Sequence, residues 1–347
     1  MTSHDESLLT AEAAFEVDRP SAGRTLHRFL HNNFTVVPAA ILVLSCLFFG
    51  FLDGARFVHP FNFSLILQQA TIIGIVGVAQ TLIILTAGID LSVGAIMIMA
   101  SLIMGRLAVQ SGVPVELAFV AGLLAGAACG FANGVLVCRL KLPPFITTLG
   151  TWSIFGAINL GYSHSQTIRS QEIAETAPFL QWTGQSFEFF GATLTYGSIL
   201  LLVLVALVWR LLNRTPFGKH VYAIGDDAEA ARLAGIDIRR TLTGVYVLAG
   251  LICGVAGWVL IGRTGSVSPL SGTTANLDSI TAVVIGGTSL FGGRGSIVGT
   301  LFGALIVCTF RNGIALAGAD AVWQEASIGL LILCAVALDN WLRKVSA

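Results

Sequence analysis

Apolar positions in this chain run in long blocks parted by short polar stretches. A helix that crosses a bilayer needs about 20 mostly apolar residues. Blocks of that kind lie near 34–52, 62–86, 91–110, 115–138, 145–162, 193–212, 241–262, 277–291, 296–317 and 322–342. They predict an all-α polytopic membrane protein with about ten transmembrane helices across residues 34–347. Residues 1–33 are polar and acidic, with no cleavage motif behind a short apolar region. They read as a tail ahead of an uncleaved first span.

The eighth block is short. Leu277 to Leu290 is fourteen residues, about 21 Å of helix, against a hydrocarbon core of about 30 Å. It runs into FGGRGSIVG, whose glycines do not sustain a helix, and TAGIDLSVG (86–94) parts the second and third blocks in the same way. Irregular backbone at membrane depth is tolerated only inside protein or beside a water-filled cavity, so breaks in both halves point to a transport path. Tight turns at the membrane surface are the competing account. An internal repeat adds to the picture: GLLAGA precedes Asn133-Gly134, and GTLFGA precedes Asn312-Gly313. If the fourth span matches the ninth, the offset is five, and the two halves run through the bilayer with inverted topology.

Composition excludes the soluble reading that 347 residues would otherwise invite. Charged residues are 11% of the chain, against about 25% in soluble domains. Mean hydropathy is +0.83. Of the thirty-eight charges, eight fall in residues 1–33 and nine in 213–240, which leaves the spans poor in charge. Net charge is zero, so no global field draws the chain to nucleic acid. An even number of spans puts both termini on one side. With that side inside, fourteen Lys and Arg lie inside and five (Arg56, Arg106, Arg169, Arg263, Arg311) outside. The positive-inside rule therefore makes both termini cytoplasmic.

Two polar segments are long. Residues 163–192 form an external loop with Trp182 and Phe187, and residues 213–240 the one sizeable internal loop. In the latter, Asp226-Asp227-Ala-Glu229 reads as an N-cap with a capping box, and AEAARLAG as a short helix closed by Gly235. A solvated loop does not need a capped helix; a docking element does.

No catalytic or metal-ligating constellation is present. The six histidines are scattered, the six cysteines sit in apolar runs, and FGGRGSIVG lacks the lysine of a phosphate loop. The chain is expected to hydrolyse no nucleotide, to need no cofactor or metal, and to rely on another chain if ATP drives its work. Gly122, Gly126, Gly130 and Gly134 recur every four residues, as helix-packing contacts do, and Gly250 and Gly254 repeat the pattern. Polar groups inside the spans are few. Asp90 is either an N-cap for the third span or part of a gate, and Asp278 invites the same two readings. As a cap alone, Asp90 would be replaceable by Asn. Gln80, Asp90, Ser92, Asn133, Asp278 and Thr281 are the candidates for a translocation path or gate. Interhelical hydrogen bonding is the competing account of each. A path lined with amides, hydroxyls and small residues suits a neutral polyol such as a sugar.

QTLIILTAGIDLSVGAIM, RLKLPPFITTLGTW, NRTPFGKHVYAIGDDAEAARLAGI and ITAVVIGGTSLFGGRGSIVG resemble segments of the permease subunits of bacterial ABC importers for monosaccharides, the ribose/xylose/galactose type. The likeness runs from about residue 34 to the C-terminus. TIRSQ (167–171), RTGSVSP (263–269) and the ending WLRKVSA look closest to fructose-importer permeases of that group. The resemblance implies a homodimer in the bacterial inner membrane, in contact with lipid. A cytoplasmic double-cassette ATPase would drive it, and a periplasmic sugar-binding protein would supply the monosaccharide. It also implies that the internal loop touches the ATPase, with Asp226, Asp227, Glu229, Ala230, Arg232, Leu233, Ala234 and Gly235 as the coupling residues. A stand-alone secondary carrier or facilitator for a small polar solute is the alternative. Such a carrier needs no docking helix and usually has a coupling carboxylate near mid-membrane.

Overall fold

The computed structural model describes residues 35–189 and 192–346. The expected tail over 1–33 lies outside them. Fourteen α-helices follow in chain order among the described residues: α1 Val36–Asp53, α2 Ala55–Val58, α3 Pro60–Ile84, α4 Val93–Gly105, α5 Val115–Cys138, α6 Pro144–Ser163, α7 Ser170–Thr176, α8 Tyr196–Arg214, α9 Pro216–Asp226, α10 Ala228–Leu233, α11 Ile238–Thr264, α12 Ala275–Ile285, α13 Ile297–Leu316 and α14 Ala321–Ser346. A π-turn, Arg106–Gln110, continues α4, and a small hairpin pairs β1 (Ser186–Phe189) antiparallel with β2 (Ala192–Thr195).

Ten of these helices correspond to the ten apolar blocks. Seven are long and apolar enough to cross a membrane: α1, α3, α4 with its π-turn, α5, α8, α11 and α13. Helix α12 is apolar but has only eleven residues. Helix α6 is long enough, but Thr147, Thr148, Thr151, Asn159 and Ser163 make one face polar, and all five are buried. This is an all-α polytopic membrane protein.

Local chemistry sets the helix starts. Thr195 and Thr215 accept N–H bonds from Ser198 and Gly218 to begin α8 and α9, with Pro216 at the first position of α9. Glycine sets the closest packing. A Cβ at Gly126 or Gly130 would run into the Gly250 or Tyr246 carbonyl, so α5 and α11 touch backbone to backbone. Helices α12 and α13 do the same through Gly286, Gly299 and Gly303.

The packing repeats with the offset of five seen in the sequence. Helix α11 packs on α4 and α5, and α3 packs on α12 and α13. Helix α4 packs on α5 and α6 as α12 packs on α13 and α14.

The two polar segments lie at opposite ends of the bundle. At one end, the Ile168–Val267 bridge ties the 163–192 segment to the loop after α11, and Trp182 stacks on Tyr196 and Trp258. At the other end lie the C-terminus of α3, helices α9 and α10, and the stretch between α12 and α13. The internal loop of the sequence reading is thus two helices, α9 and α10, rather than one.

Candidate functional site

The break after α3 runs from Leu85 to Ser92 and is held by side chains from four helices. Gln80 of α3, with its amide nitrogen facing the Asp90 carbonyl, donates to Asp90 O (3.0 Å) and accepts from Asp90 N (3.2 Å). Thr148 of α6 accepts from Leu91 N at 3.1 Å and lies 3.1 Å from the Ile89 carbonyl. Asn276 of α12 donates to Leu91 O at 3.3 Å. These bonds answer the question that irregular backbone inside a membrane protein raises, namely where its polar groups find partners.

Asp90 is buried in the middle of this frame. Its Oδ1 accepts from Ser92 N and Ser92 Oγ, both at 2.6 Å, just ahead of α4. Its Oδ2 accepts from Asn133 Nδ2 of α5 at 3.4 Å, and the same amide nitrogen donates to Ser92 Oγ at 2.8 Å. Gln80, Asp90, Ser92 and Asn133 therefore form one cluster, each at most 2% exposed. Several atoms around it have no hydrogen-bond partner among the described residues: Asn133 Oδ1, Asn276 Oδ1 and the Tyr246 hydroxyl.

The starts of α4 and α12 lie side by side. A Cβ on Gly94 would meet Asn276 N and the Gly272 carbonyl. Each helix start carries partial positive charge, and each has a carboxylate close to it, Asp90 ahead of α4 and Asp278 in the first turn of α12. Asp278 accepts from Arg311 of α13 at 2.8 Å, and Arg311 also reaches Glu325 of α14 at 3.1 Å. The sequence reading missed this pairing, having treated Arg311 only as an outside charge. Thr281, another candidate, is fully buried and donates to Leu277 O within its own helix. It joins neither cluster.

The second break lies between α12 and α13 and meets the first. Gly293 N donates to Leu85 O at 3.0 Å, and the Tyr222 hydroxyl of α9 donates to Gly295 O at 3.0 Å. Burial pushes the Tyr222 phenol above its usual range, so it stays a donor at physiological pH. Gly225, at the end of α9, lies so close to Leu85 O and Gly293 N that a Cβ there would displace both. Helix α9 thus rests on both breaks at once.

Helix α10 follows directly. Asp227 Oδ1 accepts from Glu229 N (2.9 Å) and Ala230 N (3.0 Å), an N-cap. The capping box read from the sequence does not form. With Asp227 as the cap, Glu229 is one position too early, and it pairs with Arg232. At the other end Gly235 has φ +86°, and its N–H and that of Ile236 bond to the Arg232 and Ala231 carbonyls. Asp226, Glu229, Ala230, Arg232 and Ala234 are exposed, and Leu233 is 78% exposed. Among the described residues, no group of three or more His, Cys, Asp or Glu is placed to hold a metal.

Residues 62–336 match the family model for the branched-chain amino acid transport system / permease component. The chain is 54% identical to the fructose import permease protein FrcC of Rhizobium meliloti, over 97% of this chain and 94% of the relative. It is 40% identical to the ribose import permease protein RbsC of Bacillus subtilis, over 84% and 87%. It is 31% identical to the xylose transport system permease protein XylH of Escherichia coli, over 90% and 92%. No solved structure matches.

Proposed function

The chain belongs to the branched-chain amino acid transport system / permease component family, and from that premise we propose that it carries a monosaccharide, fructose first, across the bacterial inner membrane. It is the permease of an ABC sugar importer. The observation that carries this reading is the 54% identity to a fructose import permease over nearly the whole length of both chains. The family description names amino acids, but relatives that cover most of this chain are named for fructose, ribose, D-allose and xylose.

Four finer statements belong to the proposal. The driving ATPase is a separate double-cassette chain on the cytoplasmic side. A periplasmic sugar-binding protein delivers the substrate at the hairpin end. Two copies of the permease work together, with both termini cytoplasmic. The α9–α10 unit receives the ATPase, which the capped helix, the bare Leu233 and the seating of Gly225 on both breaks support. In this scheme the Asp90 cluster is the gate. Its amide and hydroxyl groups without partners suit a hydroxylated solute, and it moves when α9 moves.

Reconstitution tests the whole scheme. The chain alone in vesicles should move no sugar. With its ATPase and a loaded binding protein, uptake of fructose should require ATP and should survive collapse of the proton gradient. Uptake by the lone chain, or loss of uptake on adding an uncoupler at constant ATP, would make it a secondary carrier instead.

A further inference from the structure

We propose that the groove between the α5–α6 turn and the start of α11 seats the headgroup of an acidic phospholipid. The groove has a volume of about 340 Å³. Val137, Leu142, Pro143, Pro144, Ile238 and Leu242 give it apolar walls, and Lys141 and Arg239 stand in the same lining. Neither cation, nor Arg139 beside them, has an ion pair among the described residues, whereas Arg240 next door is paired with Asp237. Helix α6 opens here without a side-chain cap; Pro144 has no N–H to offer, so the free donors of its first turn are the N–H groups of Phe145 and Ile146. Two cations and an uncapped helix start are the chemistry that recognises a phosphodiester.

The apolar surroundings select a lipid over a soluble anion. Leu140, Leu142, Phe145 and Ile146 beside the groove are 61%, 43%, 50% and 65% exposed. Bare apolar side chains next to unpaired cations mark headgroup depth, where acyl chains and phosphates lie one above the other. The groove sits at the end of the bundle that carries α9 and α10, since α10 leads directly into Ile238. It shares no residue with the proposed gate or with α10. Lys141 has φ +54°, a left-handed backbone that a side chain adopts at a cost. Glycine would relieve that cost and remove the ammonium.

Thermal unfolding and native mass spectrometry of the purified full chain test this. Phosphatidylglycerol should raise the melting temperature and stay bound under activation that strips phosphatidylcholine, while inorganic phosphate at equal concentration should shift nothing. Lys141→Gln with Arg239→Gln should weaken phosphatidylglycerol retention roughly ten- to thirtyfold. Lys141→Gly should weaken it too, yet melt no lower than the parent without lipid, which separates binding from folding. Equal retention of the two lipids, unchanged retention in the double variant, or an equal shift by phosphate alone overturns the proposal. So does a double variant that keeps its lipid but no longer co-purifies with the ATPase, because the groove would then be a protein contact.

Discussion

The two oxygens of Asp90 do different work, and that decides what a single substitution does. Oδ1 serves the start of α4, and asparagine would do this equally well. Oδ2 faces the amide nitrogen of Asn133, and asparagine would set N–H₂ against N–H₂ there. Asp90→Asn should therefore cost about 1–3 kcal/mol of stability, the range for a buried group left unpaired, and reduce uptake. Adding Asn133→Asp restores a donor–acceptor pair with residue 90 but removes the amide that donates to Ser92 Oγ, so it should recover part of both, as read by melting temperature and by vesicle uptake. Normal uptake by the single variant would reduce Asp90 to a cap. The sequence made Asp90 visible because it stands in a glycine-marked break. It could not show Thr148 or Asn276 as partners, since they lie 57 and 185 residues from Leu91 and look like any hydroxyl or amide within a span.

Helices α9 and α10 separate attachment from transmission. Gly235→Pro removes an N–H that bonds to Arg232 and forbids φ +86°, so α10 should lose its end. Together with Glu229→Arg it should prevent ATPase binding in a pull-down while the chain still reaches the membrane. Gly225→Val acts elsewhere: its side chain would push α9 off Leu85 and Gly293. The ATPase should still bind, but sugar should no longer stimulate hydrolysis. Stimulation at the parent level would show that the contact with the breaks transmits nothing. Helix α12, too short to cross alone, carries the Asp278–Arg311 ion pair. With 7% and 22% side-chain exposure for Asp278 and Arg311, Arg311→Met should destabilise by about 3 kcal/mol, and Arg311→Met with Asp278→Leu by much less. Of these elements α10 was legible, because Asp and Gly bracket it. Helix α9 was not, because two glycines and a proline in PFGKHVYAIGD read as loop until Thr215 is seen to cap it.

For the whole molecule, hydropathy found the ten apolar blocks, each of which holds a helix, and seven of those helices are long and apolar enough to cross a membrane. It could not find which short helices meet, because glycine contacts and amide bonds carry no hydropathy. Orientation is open to a labelling experiment. Gly184 is a poor probe, as a Cβ there would strike the Gly262 carbonyl, but Ser186 in the hairpin is exposed. With exposed Cys334 changed to serine, a cysteine at Ser186 should react with an impermeant reagent from outside, and one at Ala228 only after the membrane is opened. Reaction of Ala228→Cys from outside would invert the molecule. The bond from Gly293 N to Leu85 O has a consequence of a different kind. It is one proton shared by the two halves, and deuterium can replace it only while the breaks are apart. If the breaks part in every cycle, that amide should exchange faster while ATP and sugar keep the transporter turning over than while it rests, independently of any sugar counted on the far side.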